Sequence, residues 1–262
     1  MTGEGRATFP LAAAFERPDP AVEGLRVVAT DVDGTLTTDG AIGAEVVAAV
    51  ARLGQAGFEV IPVSGRPAGE VLGLCRYLPG VQRAVAENGL LEVVPDLAPR
   101  FVESPTDVGR LRAVGERLNR VHGAGLRLAG DAFCRMGDVA YERDGRDEST
   151  LLGLRTWAEA EGVHLVWSNV HVHLAEAVPD KGAALLRLCG RWGIDPNSVV
   201  TVGDALNDAG LFVPGRFGMT VGTADVLRIA DLFPHVPRYV AAAAEGAAFL
   251  ELAAGLLHAR SS

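Results

Sequence analysis

The stretch Arg26-Val27-Val28-Ala29-Thr30-Asp31-Val32-Asp33-Gly34-Thr35-Leu36-Thr37 decides how the rest of the chain is read. An apolar, β-branched run ends in two aspartates one residue apart, followed by glycine and threonine. Runs of this kind form strands buried on both faces of a parallel sheet, and open α/β sheets place their chemistry at the carboxyl ends of such strands. Side chains alternate along a strand, so Asp31 and Asp33 are expected on one face, in one small volume. Two like charges so close are costly unless a cation or a chemical task offsets them.

Outward from that stretch, strand and helix signals alternate. They predict strand 25–31, helix 43–56, strand 58–63, helix 67–77 and strand 83–87, a rhythm that means a parallel sheet with right-handed crossovers. From about residue 88 the texture changes. Strands are predicted over 90–94, 126–129, 133–141 and 163–175, with helices near 106–121 and 149–161. His171-Val172-His173-Leu174 alternates polar and apolar, the mark of an antiparallel sheet with one face exposed. After Pro179 the parallel rhythm resumes: helix 181–192, strand 198–203, helix 206–211, strand 217–221, helix 224–230, strand 238–241 and helix 245–258. The expected fold is α/β. Residues 1–87 and 179–262 form a Rossmann-like parallel-sheet core, with 1–23 a loosely held leader, and 88–178 form an inserted α+β domain.

Composition narrows the partners. The chain has 262 residues, enough to bury a sizeable core, and a net charge of −9. An acidic balance argues against a nucleic-acid backbone or an anionic membrane as partner. No apolar stretch approaches the roughly 20 residues that cross a bilayer. The N-terminal patch Phe9–Phe15 is too short and too acidic in its flanks for a secretion signal. Cys75, Cys134 and Cys189 lack metal or redox spacing and read as small buried hydrophobes in a reducing compartment. The expectation is a cytoplasmic protein, a monomer or homodimer.

Among 24 basic residues, Lys181 is the sole lysine. An ammonium is a compact point charge and a guanidinium a wide fork, so a lysine that survives such arginine preference marks a place where the fork will not serve. Two further strand ends are polar: Val60-Ile61-Pro62-Val63 runs into Ser64-Gly65-Arg66, and Val199-Val200-Thr201-Val202 into Gly203-Asp204, then Asn207 and Asp208. Lys181 opens a helix behind Asp180, a plausible N-cap. In one parallel sheet these ends make a single crevice holding Asp31, Asp33, Ser64, Lys181, Asp204 and Asp208. Carboxylates with waters and a carbonyl suit Mg2+, which prefers oxygen ligands and lets a phosphate dianion approach an aspartate.

Asp31-Val-Asp33-Gly-Thr35, Val63-Ser64-Gly65, Asp180-Lys181-Gly182 and Gly203-Asp204-Ala-Leu-Asn207-Asp208 resemble, in order, the four motifs of the haloacid dehalogenase superfamily of phosphohydrolases. The position of the insert resembles members with a C2-type α/β cap, such as the Cof-like, sucrose-phosphate and phosphoglycolate phosphatases. The resemblance implies that Asp31 is the nucleophile and Asp33 the general acid and base, its carbonyl also on Mg2+. It implies that Ser64, Gly65, Arg66, Lys181 and Asn207 bind the phosphoryl group, Lys181 serving catalysis too by holding Asp31 in place, and that Asp31, Asp33, Asp204 and Asp208 make the metal site, Asp208 as ligand or support. The expected activity is hydrolysis of a small phosphorylated metabolite, most simply a sugar or sugar-like phosphate. A phosphomutase, or a regulatory protein that binds without catalysis, could carry the same motifs.

Other residues carry two readings. Asp-Val-Asp-Gly could open a Ca2+ loop, but residues 35–42 supply neither the third ligand nor a late glutamate. His171 and His173 invite a zinc reading, yet nothing stands at partner spacing, so an exposed or substrate-facing cap surface is expected. Glu87-Asn88-Gly89 is either a hinge turn or places Asn88 against substrate. Arg127, Asp131, Arg135 and Asn169 are polar cap residues that either contact substrate or are solvated, and solvation is the expectation.

Overall fold

The computed structural model describes residues 7–16, 20–168 and 170–261. The first half of the chain runs β1 (Phe9–Pro10), α1 (Pro20–Glu23), β2 (Val27–Thr30), α2 (Ala44–Gln55), β3 (Glu59–Pro62), α3 (Ala68–Tyr77), β4 (Ala84–Ala86), β5 (Leu91–Val93) and β6 (Arg100–Phe101). Then come α4 (Val108–His122), β7 (Asp138–Glu142), α5 (Glu148–Ala160), β8 (His164–Trp167) and β9 (His171–Ala175). The chain closes with α6 (Lys181–Trp192), β10 (Val199–Gly203), β11 (Met219–Gly222), β12 (Tyr239–Val240) and α7 (Glu245–Ser261).

The main sheet has the order β1-β12-β11-β10-β2-β3, and every pair in it is parallel. β2 sits inside it and is buried along its whole length. Its side chains feed both layers: Val28 joins a core with α2 and α7, through Val50, Leu53, Phe249 and Leu252. Val27 and Ala29 join a second core on the opposite face, with Leu185 and Leu188 of α6. A strand covered on both faces has to be apolar throughout, which is what Val27-Val28-Ala29 supplies. Register then fixes the site, because Thr30 lies beside Val202 on one flank and Pro62 on the other. The three chains therefore leave the sheet side by side, at Asp31, Asp204 and Ser64.

Several expectations need adjusting. The leader expected over 1–23 is partly built into the fold: β1 pairs with β12, and Leu11 and Ala14 are buried. Residues 1–6 and 17–19 of it lie outside the described residues. The strand expected at 83–87 as a third parallel partner touches β3's end through one parallel bridge, Val63 to Val85, and otherwise pairs antiparallel with β5. Strands β4, β5 and β6 make a small separate sheet, and Leu91 and Val93 pack in the first core. Residues just after 88 thus pack with the core, because a hairpin folding straight back from β4 buries its apolar side chains there.

A third sheet, β7-β9-β8, is antiparallel and carries α4 and α5 around its own cluster of Leu111, Val114, Leu151, Leu154, Val172 and Leu174. Asp107 and Asp147 cap those two helices through the N–H groups of Arg110 and Thr150. The strand expected at 126–129 is reduced to a bridge, Leu128 to Tyr141, and 133–141 begins as a 3₁₀ turn with its strand starting at Asp138. The stretches 206–211 and 224–230 are 3₁₀ rather than α-helical. No helix of the described residues is long and apolar enough to cross a membrane.

Candidate active site

Lys181, the sole lysine, is completely buried at the first turn of α6. Its ammonium donates to Asp31 Oδ1 at 2.7 Å and to Asp208 Oδ1 at 2.7 Å. α6 can start here because Asp180 caps it, accepting from the Ala183 N–H at 2.8 Å. Gly182 is needed beside it, since a Cβ there would stand 1.9 Å from the Gly210 carbonyl oxygen. The helix start and the acidic loop after β10 are thus pressed together, and only a narrow cation fits between them.

Asp204 leaves β10 and Asp31 leaves β2. With Asp208 they form a buried group whose carboxylate oxygens lie within 4.8 Å of one another. Asp208 is fully engaged. Its Oδ2 accepts from the N–H groups of Asp204 and Ala205 at 3.0 and 3.1 Å, while Oδ1 takes Lys181. Thr35 donates to Asp204 Oδ1 at 3.2 Å. Burial, then the charge of Asp208, push the Asp31 carboxyl up to about 7 despite Lys181. Burial and the neighbouring Asp31 and Asp208 push Asp204 up to about 9. Burial opposes the charge of Lys181, but the two carboxylates hold its pKa above the ordinary lysine range. Three carboxylates against one ammonium leave a surplus of negative charge, so the donor set fits a hard divalent cation. Asp31 and Asp204 have the oxygens to offer it, and Asp208 supports them. Gly34 makes room, because its φ is +79° and a Cβ would stand 2.5 Å from Asp204 Oδ2.

Asp33 sits on the loop beyond β2, partly exposed, and its carboxylate is gripped by Arg66 through Nε and Nη2 at 2.8 and 2.7 Å. Arg66 Nη1 reaches Glu70 at 2.9 Å, so the guanidinium expected among phosphate binders is committed to carboxylates. Ser64 is buried and its hydroxyl oxygen accepts the Arg66 N–H at 3.1 Å. Asn88, in the left-handed region at φ 54°, accepts from Asn207 Nδ2 at 3.1 Å. Its own Nδ2 and the Asn207 Oδ1 are buried without a partner.

These groups face a cavity of about 200 Å³. Asp31, Asp33, Gly65, Arg66 and Asn207 line one side, and Ser168, Val170, His171 and His173 of the β8–β9 hairpin line the other. Ser64, Asn88, Lys181, Asp204 and Asp208 are buried and do not themselves line it. His173 is buried, not solvated, with Nδ1 at 2.8 Å from Asp138 Oδ2. His171 stands edge-on to it at 5.9 Å, and burial holds its pKa below the usual histidine range. Of the cap polar residues, Arg127 is exposed and paired with Asp144, while Arg135 is buried between Asp131 and Asp138. Asn169 lies outside the described residues. The sequence reading missed the Arg66–Asp33 pairing, the tie from Thr35 to Asp204, and Glu87, whose buried carboxylate no motif announces.

Comparison with known proteins fits this geometry. The family model for sucrose-6F-phosphate phosphohydrolase matches residues 163–251. A protein of Methanopyrus kandleri named phosphoglycolate phosphatase is 31% identical over 215 residues, covering 79% of this chain and 89% of the relative. The chain belongs to the haloacid dehalogenase superfamily of phosphatases. A phosphoglycolate phosphatase of Methanospirillum hungatei is 28% identical over 81% of this chain and 91% of its own. Among solved structures, Thermoplasma acidophilum 0175 superposes with a TM-score of 0.74 at 20% identity, covering 88% of this chain and 98% of that one. The sucrose-phosphatase of Synechocystis, solved with sucrose and phosphate, gives 0.63 at 18% identity over 88% and 97%. As a haloacid dehalogenase phosphatase, the chain places its four motifs around one buried lysine.

Proposed function

We propose that the protein is a Mg2+-dependent phosphomonoesterase that hydrolyses a small phosphorylated metabolite through an aspartyl-phosphate on Asp31. The observation that carries this is Lys181, buried and shared between Asp31 and Asp208 at 2.7 Å each. One Asp31 oxygen is held by the ammonium, and the other attacks phosphorus. As the P–O bond to the leaving group breaks, Asp33 gives that oxygen its proton. Asp33 then takes a proton from water, whose oxygen attacks the phosphoryl group and releases inorganic phosphate with Asp31 restored. Ser64 and the N–H groups beside it hold phosphoryl oxygens. Asp31, Asp204 and the Asp33 carbonyl would hold Mg2+, which supplies neutralisation of phosphate and carboxylate charge.

In this reading residues 88–178 act as the cap, with the β8–β9 hairpin the far wall of the cavity. At about 200 Å³ the cavity is smaller than the ~300–1,000 Å³ typical of sites for drug-sized ligands. A leaving group of few heavy atoms fits it, and a short phosphorylated hydroxy acid, as in the names of the archaeal relatives, comes first. A sugar phosphate is the second reading, favoured by the sucrose-phosphate family model over residues 163–251. A reducing, cytoplasmic setting agrees with three free cysteines. The test is phosphate release from a panel holding 2-phosphoglycolate, 3-phosphoglycerate and hexose phosphates, with Mg2+ and with chelator. Turnover that needs Mg2+ and prefers one small ester supports the reading. Turnover unchanged in Asp31→Asn, or undiminished by chelator, contradicts it.

A further inference from the structure

Glu87 is fully buried, yet its carboxylate belongs to none of the steps above. It sits where β4 ends, in a turn with both Glu87 and Asn88 at positive φ, 52° and 54°. Such backbone persists in non-glycine residues only when the surroundings impose it. Here they do so from two sides. Glu87 Oε1 accepts the Ala68 N–H at the start of α3, at 3.2 Å. Across the seam, the same carboxylate accepts three successive N–H groups, from Met136 at 3.1 Å, Gly137 at 2.6 Å and Asp138 at 3.2 Å. Gly137 permits this approach, since a Cβ there would stand 2.9 Å from Leu90 Cβ.

What hangs from that segment leads to the histidines lining the cavity. Asp138 opens β7, pairs across to β9 and contacts His173 Nδ1 at 2.8 Å. Arg135, one residue before the segment, donates to the Gly65 carbonyl at 3.0 Å and to Asp138 at 3.0 Å. On the core side, the turn is tied to the loop after β3: the Glu87 N–H donates to the Arg66 carbonyl and the Asn88 N–H to the Ser64 carbonyl, each at 3.0 Å. One short turn therefore touches the Ser64–Arg66 loop, Asn207 and the root of the histidine-bearing sheet.

We propose that Glu87 is a positioning residue whose carboxylate pins Met136–Asp138 to the core and so holds the His171–His173 wall over Asp31 and Asp33. A carboxylate accepting several N–H groups is a strong, directional anchor. Its amide analogue has one acceptor oxygen and turns a donor against the remaining N–H groups. Selection of the leaving group depends on this tie, and chemistry at phosphorus does not.

The experiment compares Glu87→Gln and Glu87→Asp with the wild type at about pH 8, above the value near 7 to which burial and Asp138 push Glu87. Each is assayed on the best ester of the panel and on acetyl phosphate, whose small leaving group needs neither the cap nor a proton. Amide hydrogen exchange of the peptide holding 136–138 is measured beside it. Expected for Glu87→Gln is a loss of about tenfold in kcat/KM on the metabolite, carried by KM, with acetyl phosphate changed by less than about threefold. Exchange at 136–138 rises while β2 and β10 stay protected, and Glu87→Asp recovers part of the selectivity. Equal losses on both substrates, or unchanged exchange at 136–138, overturn the proposal. Should Glu87→Gln not fold, Gly137→Ala displaces the same segment while leaving the carboxylate, and unchanged selectivity there overturns it equally.

Discussion

Arg66 grips Asp33 with two nitrogens of one guanidinium, at 2.8 and 2.7 Å, while its third nitrogen is held by Glu70. The proposed acid–base group is thus fixed in place by a neighbour four residues beyond β3, in the loop that also carries Ser64. A forked, charge-assisted pair fixes direction as well as position. Arg66→Ala should lower kcat by about 10–100-fold, as expected for loss of a charged hydrogen bond of about 1.5–3 kcal/mol. Arg66→Lys should recover little, because an ammonium cannot fork. Steady-state kinetics of the two variants checks this, and full recovery by lysine would contradict the geometric role.

Lys181 makes a different prediction, about stability. Removing one partner of a buried charge cluster leaves the others uncompensated, at a loss of about 3–5 kcal/mol. Lys181→Met should therefore lower the melting temperature sharply as well as abolish turnover. Lys181→Arg should not restore either, since α6 and the loop after β10 are in contact at Gly182 and Gly210. Thermal melts with added Mg2+ are the measurement, and a variant as stable as the wild type would argue against the buried cluster.

How much of this was legible in the chain can be argued residue by residue. Asp31, Asp204 and Lys181 could be read because each follows or precedes a regular element, and a parallel sheet brings strand ends together whatever the side chains do. The edge of the sheet was not legible: Phe9–Pro10 is too short to signal a strand, and it is one only because β12 offers a partner. Strand 83–87 was read as parallel because it closes an alternating strand–helix rhythm, but pairing direction depends on the hairpin that follows, and Leu91-Glu92-Val93 folds back on it. Arg66 was expected at the phosphoryl group from the family resemblance of its loop, and a sequence does not show that Asp33 and Glu70 take up its charge. Glu87 was legible only as part of a possible hinge turn; the role of its carboxylate was not, since its partners across the seam are backbone N–H groups about fifty residues away.

Gly34 yields a prediction about metal. Its φ of +79° is open to glycine, and a Cβ would collide with Asp204 at 2.5 Å. Gly34→Ala should displace the Asp204 carboxylate and weaken activation by Mg2+ about tenfold or more, while the strain lowers stability by about 1–3 kcal/mol. Titration of activity with Mg2+ reads the first effect and a thermal melt the second. Unchanged Mg2+ activation would remove Asp204 from the metal site.

Asp138 governs acid sensitivity. Burial raises its pKa, but Arg135 and His173 more than offset this and hold it below the ordinary aspartate value. A carboxyl whose folded pKa is depressed stabilises the fold above its unfolded pKa of about 3.9, and that contribution is lost as pH falls toward the folded value. The wild type should therefore lose stability between about pH 5 and pH 3 more steeply than Asp138→Asn, which is less stable at neutral pH. Melts across that range for both proteins test it, and parallel curves would contradict the ion-pair account.

The central claim is that Asp31 carries the phosphoryl group. With acetyl phosphate, whose leaving group needs no proton, Asp33→Asn should allow attack but stall release, because the group that activates water is missing. Acid-quenched Asp33→Asn, mixed with acetyl phosphate and Mg2+, should show one phosphoryl group on the peptide containing Asp31 by mass spectrometry, and none in Asp31→Asn. Turnover by the wild type with no phosphorylated Asp31 peptide in the stalled variant, or with the label on another residue, would contradict the account.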